Sequence, residues 1–152
     1  METLERFIAE HPFFAGLESY YTGLLVGCAS NVRFEKGTSI FKEGGDANEF
    51  YLIRAGKVAL ELIEPHRRPI VISTLSEGEI LGWSWLLPPY QWKFNAHALE
   101  ETRAIALDGK CLRTKCEQNH DLGYELLKRV AQIMERRLEA TSLQLLDVYA
   151  AR

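Results

Sequence analysis

The chain has 152 residues, 47% of them hydrophobic and 26% charged, and a formal net charge of −3. That length and balance suit one soluble domain with a core of its own, and the mild acidic charge disfavours a basic nucleic-acid surface and free DNA binding. No apolar run approaches the roughly 20 residues needed to cross a bilayer, so no membrane association is expected.

The acidic, amphipathic start METLERFIAEH is unlike a secretory signal, and a cytoplasmic protein is predicted. Leu4, Phe7 and Ile8 fall on one side of a short helix that Pro12 closes, and Gly16 and Leu17 lead into a second helix over residues 18–28. Residues 1–30 are therefore assigned to N-terminal helices.

From residue 33 to residue 107 the character changes to short runs of β-formers: VRF, TSIF, EFYLI, KVALELI, PIVISTL and TRAIAL. Gly37, Gly44, Gly45, Gly56, Pro65, Gly78 and Gly82 punctuate them, which predicts an antiparallel sandwich or barrel over residues 31–108. Gly44-Gly45-Asp46 reads as a turn, and EPHRRP as a hairpin tip with Arg67 and Arg68 in solvent.

All three tryptophans, Trp83, Trp85 and Trp92, lie in GEILGWSWLLPPYQWKFNAHA, residues 78–98. This stretch begins as a strand, turns at Gly82 and stalls at Pro88 and Pro89. Indoles interleaved with Ser84, Tyr90, Lys93 and Asn95 offer apolar area with a few polar handles, the make-up of a small-molecule pocket. Aromatic residues beside a glycine turn also serve as core, and both readings stay open here.

After Asp108 and Gly109 the chain turns helical over residues 109–148, first from Lys110 to about Asn119, then in a long helix from near Asp121, a candidate N-cap, to about Val148. Leu127, Ala131, Met134, Leu138, Thr141, Leu145 and Val148 step by four and three residues, the seam of a two-stranded coiled coil. Leu126, Val130 and Ile133 form a neighbouring stripe for the chain's own β-structure. A helix of about seven turns carries more apolar surface than a small domain covers, so a homodimer through this helix is expected.

Cys28, Cys111 and Cys116 form no CxxC pair, and reduced, buried or idle thiols are expected. His11, His66, His97 and His120 lack the spacing that puts two imidazoles on one metal. Neither a metal site nor a Ser/His/Asp or Cys/His arrangement is visible, and no catalytic residue or required cofactor is assigned.

Several pieces, in order and spacing, resemble the cyclic nucleotide-binding domain of the cyclic-AMP receptor protein superfamily over nearly the whole chain. They are HPFFAGL at 11–17, FEKGTSIFKEGGDANEFYLIRAGKVAL at 34–60, LSEGEILG at 75–82 and RRLEATS at 136–142. The resemblance implies a mainly β fold, a jelly-roll β-barrel flanked by short N-terminal helices and a long C-terminal dimerisation helix. It also implies a ligand pocket between barrel and helix. In that family an acidic residue after the Leu81-Gly82 position accepts a ribose hydroxyl and an arginine further on pairs with the cyclic phosphate. Trp83 stands at the acidic position and Trp92 at the arginine position, with Lys93 the nearest cation.

Neither indole performs the displaced chemistry, because an indole N–H only donates and offers no bidentate fork. Losing a buried charged contact costs on the order of 2–5 kcal/mol, about two to four decades of affinity. What remains for an anion is a short helical turn over residues 85–87 capped by Ser84, with its backbone N–H groups, plus Lys93. By the resemblance, Thr141 and Ser142 match the pair that meets the adenine. The expected ligand site is Gly82, Trp83, Ser84, Trp85, Leu86, Trp92, Lys93, Phe94, Asn95, Thr141 and Ser142. Its expected occupant is a cyclic nucleotide or another small molecule.

LLDVYAAR at 145–152 resembles the family's entry to a hinge, and the DNA-binding helix-turn-helix that follows in its transcription factors is not in this sequence. The expectation is a non-enzymatic, dimeric ligand-sensing regulator that acts without direct DNA contact, through an unidentified protein partner, dimer geometry or ligand sequestration. The alternative is a protein–protein interaction module whose pocket the tryptophans plug.

Overall fold

The computed structural model describes residues 3–151. Helix α1 (Leu4–Glu10) starts at Thr3, whose hydroxyl accepts the Arg6 N–H, and buries Ile8. It ends where Pro12 holds His11 in an extended conformation. A 3-10 turn, Pro12–Phe14, then buries two phenyl rings, Phe13 meeting Phe14 edge-on at 4.8 Å and Phe50 at 5.2 Å. Helix α2 (Ser19–Val26) follows.

Eight strands come next: β1 (Ala29–Phe34), β2 (Ser39–Phe41), β3 (Glu49–Ala55), β4 (Lys57–Leu62), β5 (Ile70–Ser76), β6 (Ile80–Leu81), β7 (Asn95–Ala98) and β8 (Thr102–Asp108). They form two antiparallel four-stranded sheets, ordered β1-β8-β3-β6 and β2-β7-β4-β5. Alternation along the strands sends Tyr51, Ile53, Val58, Leu60, Leu75, Leu81, Ala96, Ala104 and Ala106 into one cluster, with Val32, Phe34, Ile40 and Phe41 packed against it. The mainly β fold with flanking helices is as expected. Closure is not: no ladder joins the two sheets among the described residues, so the architecture is a sandwich rather than a closed barrel. With only two residues in β6 and three in β2, those strands give little ladder to carry from one sheet to the other.

The tight β3–β4 turn depends on Gly56, at φ 104°, where a Cβ would collide with the Glu101 carbonyl and Thr102. Thr102 is held there by its hydroxyl, which donates to the Glu100 carbonyl at 2.9 Å. His11 is the buried polar group under α1. Its Nδ1 accepts the Phe13 N–H at 3.2 Å and its Nε2–H donates to the Ile53 carbonyl at 3.3 Å, an arrangement only the neutral ring satisfies. Burial pushes the imidazole below its usual 6.5, opposed in part by the bond to Ile53.

The chain divides into two compact units between Lys115 and Cys116. Helix α3 (Gly109–Gln118) crosses that division, and its first turn belongs to the β-unit. The Asp108 carboxylate caps the Cys111 N–H at 2.9 Å, and the Gly109 N–H bonds the Asn48 carbonyl at 2.7 Å. In the second unit the long helix α4 (His120–Ala150) is capped by Asn119, whose side chain accepts the Leu122 N–H. Asp121, the expected cap, sits inside the first turn, because an extended Asn119 two residues earlier is placed to reach that N–H. Leu122, Leu126 and Val130 are buried, whereas Leu127, Ala131, Leu138, Thr141, Leu145 and Val148 are exposed and Met134 is half-buried.

The expectation of reduced cysteines is corrected. Cys28 and Cys111 are disulfide-bonded, with Cα atoms 5.7 Å apart across a sequence separation of 83. Antiparallel pairing of β1 with β8 sets Ala29 opposite Leu107, which brings the residue before β1 beside the first turn of α3. Cys116 keeps a free thiol.

Two outcomes test this description. Gly56→Ala should destabilise the protein by about 1–3 kcal/mol in urea unfolding, since alanine is strained at that φ and collides with residues 101 and 102. His11, with a folded pKa below the unfolded one, contributes full stability above about pH 6.5, and that contribution falls as acid protonates the unfolded chain first. Urea midpoints measured from about pH 8 to about pH 5 should therefore drop less steeply for His11→Asn than for the parent.

Candidate functional site

Residues 82–95 leave β6 and return into β7 along the 43–47 turn. Gly82 has φ 88°, and a Cβ there would fall on the six-membered ring of Trp92. The Trp92 N–H bonds the Gly45 carbonyl at 2.9 Å, its carbonyl accepts the Gly44 N–H at 2.8 Å, and the Tyr90 carbonyl accepts the Ala47 N–H at 2.8 Å. Asp46 and Gln91 form an antiparallel bridge, and the Asn95 side-chain carbonyl accepts the Glu43 N–H at 2.8 Å. Backbone hydrogen bonds thus tie the segment to the 43–47 turn.

The tryptophans separate into different roles. Trp92, 5% exposed, lies flat on Phe41 with ring centroids 3.8 Å apart and planes 7° apart. Trp85 is fully buried, tilted against Phe50 at 5.3 Å, and Gly109 leaves the room its Cβ needs. The buried Trp85 Nε1 has no hydrogen-bond partner among the described residues. Trp83, Ser84, Leu86, Phe94 and Asn95 are half-buried and Lys93 is exposed. The helical turn expected over residues 85–87 is instead a turn at residues 84–86, closed by the Leu86 N–H on the Trp83 carbonyl at 3.0 Å. Two prolines at 88 and 89 supply no N–H to extend it.

Within residues 82–95 the only charged side chain is Lys93. The inner faces of the sheets next to the segment are apolar and aromatic, Phe34 meeting Tyr51 edge-on at 5.7 Å. Burial, with the Glu49 charge second, pushes the Tyr51 phenol up to about 12, so it stays neutral. Thr141 and Ser142 stand on α4 in the second unit, both exposed.

Arg113, in α3, escaped the sequence reading. Its Nη1 donates to the Trp85 carbonyl at 2.6 Å and its guanidinium lies 4.2 Å over the Tyr90 ring, so it grips the segment at two points. A single arginine on an amphipathic helix, 28 residues from its acceptor, carries no sequence signal. Also unforeseen are the contact of His97 Nδ1 with the buried Glu61 carboxylate on neighbouring strands, and a groove of about 520 Å³ lined by Phe7, His11, Pro12, Arg54, Glu77 and Arg103. No group of three metal-ligating side chains occurs among the described residues.

Residues 31–119 match the cyclic nucleotide-binding domain family. A CRP-like cAMP-activated global transcriptional regulator of Mycobacterium tuberculosis is 24% identical over 145 residues, 95% of this chain and 63% of the relative, so the chain spans less than two thirds of that regulator's length. A Geobacter metallireducens protein of the cyclic nucleotide-binding type superposes with a TM-score of 0.79 at 29% identity, covering 91% of this chain and 99% of the other. The fold is shared with a cyclic nucleotide-binding domain of Methylobacillus flagellatus, with a TM-score of 0.81 at 18% identity over 94% of this chain and 83% of the other. By the match over most of its strands, the chain belongs to the cyclic nucleotide-binding domain family.

Proposed function

We propose that this chain is a non-enzymatic, dimeric, cytoplasmic regulatory domain whose 82–95 segment has lost family-style cyclic AMP binding. The observation that carries the reading is Trp92: at the position where the resemblance puts a phosphate-binding arginine, a buried indole rests on Phe41 and closes over Gly82. Lys93 alone would not replace a bidentate contact, and Trp83 cannot accept a ribose hydroxyl. The half-buried ring of Phe41 and the inner faces around Tyr51 favour a ligand with a flat or apolar body, with no cofactor required.

Dimerisation through α4 is supported by the exposure of Leu127, Leu138, Leu145 and Val148 along one helical seam. The net charge of −3 argues against direct DNA contact, so output is assigned to a protein partner or to the dimer itself. A second reading, a protein-interaction module with a filled pocket, draws on the same burial of Trp92.

Titration with cyclic mononucleotides, cyclic dinucleotides and a small-metabolite panel, followed by indole emission and thermal shift, separates the two. A saturable response to a ligand other than cyclic AMP, weakened at least tenfold in Trp92→Ala and in the milder Trp92→Phe, is the expected result. Flat traces across the panel would favour the interaction module, and tight cyclic AMP binding would overturn the loss proposed here. Leu138→Glu, at a residue 67% exposed in the single chain, should leave the fold intact and halve the mass in light scattering. An unchanged dimer mass would remove the seam assignment.

A further inference from the structure

The Cys28–Cys111 bond sits at the node that holds the 82–95 segment. On one side, the Cys28 carbonyl accepts the Asp108 N–H at 2.9 Å, and Asp108 in turn caps Cys111. On the other, the same turn of α3 presents Gly109, packed on the Trp85 Cβ and bonded to Asn48. Two residues beyond Cys111, Arg113 grips the Trp85 carbonyl and the Tyr90 ring. The two sulfurs differ in access: Cys28 is 8% exposed, whereas Cys111 is half-buried and lies in the first turn of a ten-residue helix.

We propose that Cys28 and Cys111 form a reversible thiol–disulfide modification site, oxidised by hydroperoxides and reduced by small thiols, whose closed state fixes the first turn of α3 and, through Gly109 and Arg113, residues 82–95. Cys111 is the reacting sulfur, being the more accessible of the two. Its thiolate attacks the peroxide, the O–O bond breaks, an S–O bond forms, and the departing oxygen takes a proton to leave as an alcohol or water. Cys28 then attacks the Cys111 sulfenic acid; the S–O bond breaks, the hydroxyl leaves as water with the proton from Cys28, and the S–S bond forms. Two thiols have lost two electrons and the peroxide has gained them.

Reduction runs through an external thiolate that attacks Cys111 Sγ and expels Cys28 as a thiolate, which takes up a proton. A second external thiol then releases Cys111 as its own thiol and leaves the reductant as a disulfide. Cys116 is no competitor, because burial, with Glu117 second, pushes its thiol up and leaves it mostly protonated. In a reducing compartment a disulfide of this kind is characteristically transient and redox-sensing. The effect on ligand response rests on the reading of residues 82–95 given above; the effect on that segment's order does not.

The experiment uses the whole chain, taken through cycles of hydrogen peroxide and dithiothreitol under native conditions. Peptide mapping with alkylation reads the bond, and amide hydrogen exchange reads residues 83–92. The expected result is a Cys28–Cys111 linked peptide after peroxide and free thiols after dithiothreitol, over repeated cycles. Reduction should speed exchange across residues 83–92 at least tenfold and lower Tm by about 5–10 °C. Cys111→Ser should show the reduced-state exchange whatever the oxidant, and Cys116→Ser should behave as the parent. Alkylation of both thiols after peroxide, a bond that dithiothreitol opens only on unfolding, or equal exchange in the two states would each overturn the proposal. None of these readouts requires a ligand, so flat ligand titrations would count against the ligand-sensing function and leave this inference standing.

Discussion

The flat contact between Trp92 and Phe41 is the interaction around which the candidate site is organised. An indole at 3.8 Å from the Phe41 ring and over residue 82 leaves no room for a Cβ there, so residue 82 must be glycine, which also takes a positive φ of 88°. The same placement brings the Trp92 backbone within bonding distance of Gly44 and Gly45, and from there the pairing continues through the Asp46–Gln91 bridge to the Tyr90–Ala47 bond. Stacking and backbone bonding cooperate: each fixes the geometry that the other needs.

The 82–95 segment carries one charged side chain, the exposed Lys93, and lies beside an apolar wall between the sheets that holds the neutral phenol of Tyr51. The charged residue that does act on the segment, Arg113, binds it from α3 through a main-chain oxygen and a ring face, and so acts on its position. The Cys28–Cys111 bond reaches the same turn of α3, which makes that turn the common support of the segment.

Local patterning made much of the fold legible. Pro12 ended α1, glycines at φ-positive positions separated the strands, and runs of β-formers located β1 through β5 and β8 to within a few residues. Along α4, Leu126 and Val130 are buried, whereas Leu138 and Leu145 are exposed. Less was legible where long-range geometry decides. The Asn119 cap differs from the expected Asp121 by only two residues, a matter of backbone angle that composition does not report. The sheets stay unclosed because β2 and β6 are short, and strand length in the fold is settled by pairing partners.

The sequence by itself determined most of the secondary structure and the family frame, because these depend on residue type and on spacing within a few turns or strands. Only the tertiary structure decided that Trp85 and Trp92 are walls, while Trp83 remains half-buried. It also decided that Arg113 holds the segment and that two cysteines 83 residues apart are joined. Those facts arise from the antiparallel pairing of β1 with β8 and from the close packing of the inner faces. Such long-range juxtapositions leave no periodic mark on the chain, because each is made once, between residues that have no fixed separation.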